Sequence, residues 1–123
     1  MLLVEDEDAV RRSVRRTLEQ RGYAVLEASS GEAGLALAVA FNGPIDVLLT
    51  DVMMPGMNGR TFADKLLESR ADLHVLFMSG YTGDAINRNG FTDEHAFLQK
   101  PFTGDQLVNA IETLRQSRFA ETA

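Results

Sequence analysis

Val47-Leu48-Leu49-Thr50-Asp51-Val52-Met53-Met54-Pro55-Gly56-Met57-Asn58-Gly59 is the stretch on which the reading of this chain turns. It opens on an unbroken apolar run, Val47-Leu48-Leu49, that leads into a single acid and then into a loop rich in Pro, Gly and Asn. Continuous rather than alternating apolar residues mark a strand buried on both faces, as strands of a parallel sheet are. A carboxylate placed where such a strand stops lies at the sheet's carboxyl edge, and open α/β sheets bind their ligands there. Asp51 is therefore both the end of a core strand and a candidate functional group.

Outward from this stretch the same pattern repeats. Upstream, Leu2-Leu3-Val4 reads as the end of a buried strand. Asp6 to Arg21 carries Val10, Val14 and Leu18 at helical spacing and is stopped by Gly22. Ala24 to Ala28 reads as a second strand. Ser29 and Ser30 offer capping hydroxyls before a helix from Ala33 to Phe41, which Asn42-Gly43-Pro44 ends. Downstream, Phe62, Ala63, Leu66 and Leu67 mark a third helix, Val75 to Met78 a fourth strand and Ala96 to Leu98 a fifth. Thr103 opens a last helix with Leu107, Ile111 and Leu114 inward, and a weaker helical signal lies within Gly83 to Arg88. Strict alternation of strand and helix predicts a doubly wound α/β fold with a five-stranded parallel sheet and about five helices. No repeat or linker divides the chain, so 1–118 is expected to be one domain and 119–123 a frayed tail.

Composition narrows the function. With 12 Lys+Arg against 18 Asp+Glu the net charge is −6, which argues against a nucleic-acid surface, since phosphate binding needs clustered cations. There is no cysteine, so disulfides, thiolate metal sites and thiol nucleophiles are excluded, in keeping with a reducing cytoplasm. No apolar run reaches the ~18 residues of a membrane span, and no membrane contact is expected.

The strand ends gather a specific set of groups. The first strand stops at Glu5-Asp6-Glu7, the third at Asp51, the fourth at Ser79 and the fifth at Lys100. Carboxylates packed together raise each other's pKa unless a cation joins them. Oxygen ligands without His or Cys suit Mg²⁺, which often binds through one or two carboxylates and a phosphate; Mn²⁺ could take its place. The set is that of a metal site for phosphoryl chemistry. Asp51 would be the nucleophile. Asp6 would bind the metal directly, Glu5 directly or through water, and the backbone carbonyl of Met53 would complete the shell. Lys100 and the metal would neutralise the phosphoryl oxygens, and the Ser79 hydroxyl could donate to one of them.

Leu3-Val4-Glu5-Asp6-Glu7, Leu49 to Gly59, Met78-Ser79-Gly80-Tyr81 and Leu98-Gln99-Lys100-Pro101-Phe102 resemble the four motifs of the response-regulator receiver family. The resemblance covers essentially the whole chain, and the Asp-x-Met-Met-Pro-x-Met-x-Gly motif carries most of its specificity. It implies a flavodoxin-like fold with strand order 2-1-3-4-5 and a cis Lys100–Pro101 peptide bond. It implies a histidine kinase or histidine phosphotransfer protein as phosphoryl donor to Asp51. Met53 and Tyr81, each two residues past a site residue, would set the lifetime of the phosphoryl group, and Gly80 would share in the switch. Phe97 takes the position of a family aromatic that changes rotamer on activation and, having no hydroxyl, can report only by packing. Glu5 stands where the family often has Asp, and Ser79 where Thr is commoner. Residues 83 to 95 lack the usual Ala-Gly-Ala approach to the last strand. The Gly-Tyr-Thr-Gly segment is similar to receivers of hybrid sensor kinases, so the chain is expected to belong to a hybrid histidine kinase, with a free-standing regulator as the alternative.

Plainer readings compete. Glu7 and Asp8 read as first-turn acids favoured by the helix dipole rather than as ligands. Arg11, Arg12, Arg15, Arg16 and Arg21 read as a solvated face, with a docking face for an acidic partner as the alternative. His74 and His95 are not at metal spacing, and Met53, Met54 and Met57 read as loop and core packing. A phosphohydrolase with an aspartyl-phosphate would need an acid two residues after its nucleophile, where this chain has Met53. A degenerate, non-phosphorylated domain would have lost Asp51, Asp6 or Lys100, and all three are present.

Overall fold

The computed structural model describes residues 1–54, 56–80 and 96–122. In chain order they form β1 (Leu2–Val4), α1 (Asp8–Gln20), β2 (Leu26–Ala28), α2 (Gly31–Ala40), β3 (Val47–Asp51), α3 (Gly59–Ser69), β4 (His74–Ser79), β5 (Ala96–Gln99) and α4 (Gly104–Thr122). All pairings are parallel and the order is β2-β1-β3-β4-β5. The doubly wound sheet expected from the apolar runs is present, with four helices among the described residues. The weak helical signal at 83–88 lies outside them.

Successive strand residues face opposite layers, so the apolar runs fill two cores. Leu2, Val4 and Leu48 pack with Ala38, Phe62, Ala63 and Leu66 of α2 and α3. Leu3, Val47, Leu49, Leu76 and Met78 pack with Val14 and Leu18 of α1 and Leu107 and Ile111 of α4. β3 is buried at every position, as its uninterrupted apolar sequence requires. Fully burying a Leu or Val side chain stabilises by roughly 1.5–3 kcal/mol, so this central strand is the element least tolerant of a polar change.

Element boundaries differ from the sequence reading for physical reasons. β2 loses Ala24 and Val25 because its only described neighbour, β1, has three residues to pair with, Leu2 to Val4 against Leu26 to Ala28. α1 begins at Asp8 rather than Asp6, since residues 5–7 form the connection that presents the acids. Glu7 sits at its N-cap and Asp8 in its first turn, as the helix-dipole reading of these two acids expects. α2 begins at Gly31, with the Ser30 hydroxyl accepting from the amide of Ala33 at 3.1 Å. α4 runs Gly104–Thr122, and no Gly or Pro interrupts the helix-compatible sequence over that range.

Candidate functional site

β1 and β3 lie side by side with Val4 opposite Thr50, so Glu5 and Asp51 leave the sheet together. This is where the strand order reverses, the crevice in which open α/β sheets hold ligands. Asp51 pairs with Met78, and Ser79 pairs with Gln99. Register alone therefore carries Ser79 and Lys100 to the same edge.

The side chains converge. Lys100 Nζ donates to Asp51 Oδ2 at 2.9 Å and to Glu5 Oε2 at 3.2 Å. One carboxylate oxygen each from Glu5, Asp6 and Asp51 lie within 4.8 Å of one another. Glu5 is fully buried, Asp51 retains 8% exposure and Ser79 1%, whereas Asp6 is more open to solvent. Glu5 Oε1 accepts from the Glu7 amide and Asp51 Oδ1 from the Met53 amide, both at 3.3 Å.

Two buried carboxylates share one ammonium, and the charge does not balance. Burial, and then the hydrogen bond and negative charge of Asp51, push the Glu5 carboxyl up to about 7, although Lys100 draws it down. Burial would depress the Lys100 ammonium, but the hydrogen bonds and charges of Asp51 and Glu5 outweigh it and the net shift is upward. The lysine thus stays cationic at neutral pH, while Glu5 exchanges its proton close to neutrality and gives it up more readily when another cation arrives. The three carboxylates can hold a metal ion, and a donor set of oxygens alone fits a hard divalent cation.

The loop after β3 is shaped by close contact. The Gly59 amide donates to Val52 O at 2.8 Å, and a Cβ at position 59 would lie 2.0 Å from the backbone oxygen of Asp51. Only glycine lets α3 start against the backbone that carries the candidate nucleophile. Asn58 caps that helix, its Oδ1 accepting from the Thr61 amide at 2.9 Å.

Glu5, Asp6, Asp51 and Lys100 are thus brought together as the sequence reading places them, with Ser79 at the same sheet edge. Met53 adjoins Asp51 through its amide and is itself 45% exposed. Gly80 follows Ser79, and a Cβ there would meet nothing within 4 Å. Phe97 lies on β5 with its ring centroid 5.6 Å from that of Phe77. The Lys100–Pro101 peptide bond is cis. Tyr81 and His95 lie outside the described residues.

One group was missed. Arg11, grouped above with four other surface arginines, donates to the backbone oxygen of Glu5 at 2.9 Å and to Asp8 Oδ1 at 2.6 Å. Asp8–Arg11 spacing was a visible signal for the second contact and nothing in the sequence signalled the first. Arg15 pairs with Glu27 and Glu19, and Arg21 with Asp105. Three of the five arginines are therefore engaged within the chain rather than held free on a face.

Fold and site together define an α/β domain with an acidic, lysine-bridged crevice at the switch point of a parallel sheet. The chain belongs to the response regulator receiver domain family, whose model matches residues 1–112. It is 40% identical over 119 residues to the sensor kinase CckA of Brucella abortus (strain 2308), covering 96% of this chain and 13% of CckA. It is 35% identical over 115 residues to the response regulator receiver protein CpdR of the same strain, covering 93% of this chain and 94% of CpdR. Among solved structures, the receiver domain from the hybrid histidine kinase CckA superposes with a TM-score of 0.78 at 39% identity, covering 92% of this chain and 95% of that one. A response regulator receiver domain protein from Clostridium thermocellum does so with a TM-score of 0.82 at 29% identity, covering 97% and 95%. The chain is a receiver domain of two-component signalling. It spans about an eighth of CckA's length and nearly all of CpdR's.

Proposed function

We propose that Asp51 accepts a phosphoryl group from the phosphohistidine of a histidine kinase or histidine phosphotransfer protein, and that the reaction depends on Mg²⁺. The observation that carries this reading is the shared ammonium: Lys100 bridges Asp51 and Glu5 at 2.9 and 3.2 Å, in a crevice whose acids exceed its cations. An Asp51 carboxylate oxygen attacks phosphorus as the P–N bond of phosphohistidine breaks. The electron pair stays on the imidazole nitrogen, which takes a proton from solvent, and Asp51 becomes an acyl phosphate.

Glu5, Asp6, Asp51 and the backbone carbonyl of Met53 would hold Mg²⁺, which supplies charge neutralisation at the phosphoryl oxygens; Mn²⁺ would serve the same purpose. Lys100 is fixed as a cation beside Asp51 and stabilises the same oxygens, while the Ser79 hydroxyl donates to one of them. The Met53 side chain flanks the approach of water to the product, and Tyr81 and Gly80 are assigned to tuning and switching on the family pattern. Phe97, packed on Phe77, would transmit the change by repacking. The domain turns over no substrate of its own beyond this self-catalysed transfer and the later hydrolysis of the acyl phosphate, which releases inorganic phosphate and restores Asp51. A cytoplasmic setting follows from the proposed donor. No described helix is long and apolar enough to cross a membrane.

Labelling from a phosphohistidine donor tests the reading. Asp51→Asn should lose at least nine-tenths of the hydroxylamine-sensitive label, and EDTA should suppress labelling of the wild type. Undiminished labelling of Asp51→Asn would assign the acceptor elsewhere. The identity to CckA supports a hybrid histidine kinase as the parent protein, and the near full-length match to CpdR supports a free-standing regulator. The hybrid reading is preferred for its higher identity over the same span. The reading frame on either side of residues 1–123 decides between them: a kinase domain encoded upstream supports the first, and a stop codon directly upstream of Met1 the second.

A further inference from the structure

We infer that Arg11 is a positioning residue for the metal site, holding the β1–α1 connection so that Glu5 and Asp6 converge on Asp51. The inference rests on the proposed reading of Glu5 and Asp6 as metal ligands. Residues 5–7 must carry two acids toward a third, against their mutual repulsion. The connection is held from two sides. The Glu5 amide donates to Ala28 O at 3.1 Å, and its backbone oxygen receives Arg11 Nη1 at 2.9 Å. The same guanidinium reaches Asp8 Oδ1 at 2.6 Å and lies with Nε 3.8 Å from Glu27 Oε2 on β2. One side chain thus joins the first residue of the connection, the first turn of α1 and the neighbouring strand. The planar fork of Arg suits this better than a point charge.

Two features separate Arg11 from the other arginines of α1. Its side chain is only 14% exposed, whereas Arg12 is exposed and makes no hydrogen bond or ion pair among the described residues. It also meets Glu5 at the main-chain oxygen and so occupies neither carboxylate oxygen. A largely buried cation beside a crevice for a divalent cation is electrostatically unfavourable to that cation. Asp8 and Glu27 offset part of that charge, and the contact to the Glu5 main-chain oxygen ties what remains of the guanidinium to the ligand loop.

The two effects have opposite signs, which makes the inference testable without any phosphoryl donor. Mg²⁺ affinity is measured by calorimetric or amide-NMR titration of the metal-free protein, with melting in EDTA recorded beside it. If Arg11 positions the ligands, Arg11→Gln weakens Mg²⁺ binding by about tenfold or more, as loss of an outer partner of a metal ligand does. If Arg11 is only a nearby charge, Arg11→Gln binds Mg²⁺ as tightly as wild type or tighter, which would overturn the inference. Arg12→Gln removes the same charge from the same helix and should stay within about twofold of wild type, because exposed charges are screened. Weakening by Arg12→Gln equal to that by Arg11→Gln would also overturn it. A general loss of stability lowers the melting temperature without changing an affinity measured well below it. Should Arg11→Gln not fold, Arg11→Lys decides in the same directions, since it keeps the charge and loses the fork. A wild-type chain that takes up no Mg²⁺ overturns the metal reading and this inference with it. Wild-type binding with an unweakened Arg11 variant overturns this inference alone.

Discussion

Glu5 shows how a single residue can be set against its own fold. It is fully buried, close to a second carboxylate, and half-compensated by one lysine. Its carboxyl is raised from 4.5 to about 7 by burial first and Asp51 second. A folded-state pKa above the unfolded one means that between these values the folded chain holds a proton the unfolded chain has released. The contribution of Glu5 to the stability of the metal-free protein should therefore fall as pH rises from about 4.5 to about 7, and be constant on either side. Thermal unfolding in EDTA across that range, comparing wild type with Glu5→Gln, isolates the effect. Relative to the variant, wild type should lose stability as pH rises through the window, and an identical slope in both proteins would remove Glu5 as a source of pH dependence. The same proton competes with a metal, so Mg²⁺ should bind more tightly as pH rises through this window.

At the scale of elements, α2 shows a helix closed at its two ends by different means. Ser30 caps the start locally, and both hydroxyl and position were visible in the sequence. The end has no Gly in a left-handed turn; Phe41 leaves in an extended conformation. The exposed carbonyls are met instead by Arg70 at the end of α3, whose guanidinium donates to Ala38 O, Phe41 O and Gly43 O at 2.9–3.0 Å. Hydrogen bonds from a charged donor are stronger than neutral ones. Arg70→Ala should cost about 2 kcal/mol, against about 1 kcal/mol for Ser30→Ala. Urea midpoints at unchanged slope measure both. If Arg70→Ala costs no more than Ser30→Ala, the guanidinium is not the cap it is taken to be.

For the whole molecule, the site exists only when the sheet is assembled. Glu5, Asp51 and Lys100 are far apart in sequence and are joined by the registers of β1, β3, β4 and β5. An ion that binds the assembled cluster and not the unfolded chain must stabilise the fold by mass action. At a free Mg²⁺ concentration about ten times the dissociation constant, the gain should be about 1.4 kcal/mol, read as a higher urea midpoint at neutral pH. Asp51→Asn should lose most of that gain while still unfolding cooperatively. Equal Mg²⁺ stabilisation of both proteins would place the ion elsewhere.

The linear sequence determined the class of fold, because Leu2-Leu3-Val4, Val47-Leu48-Leu49 and Val75 to Met78 are short apolar runs without alternation, as strands covered on both faces use, and they alternate with amphipathic helices. It also placed Glu5, Asp6, Asp51, Ser79 and Lys100 at strand ends, where chemistry is expected. Their role as one site depended on register, which a one-residue slip would have undone. Tertiary structure alone decided the rest. β2 is short because β1 offers it few partners. Gly59 is required because the backbone of Asp51 passes where a Cβ would sit. Arg11 and Arg70 look like surface charges in sequence and become fasteners in the fold, because backbone oxygens left open elsewhere happen to lie within their reach. Periodicity reports which face of an element is buried; it carries no record of which distant carbonyl a long side chain will find.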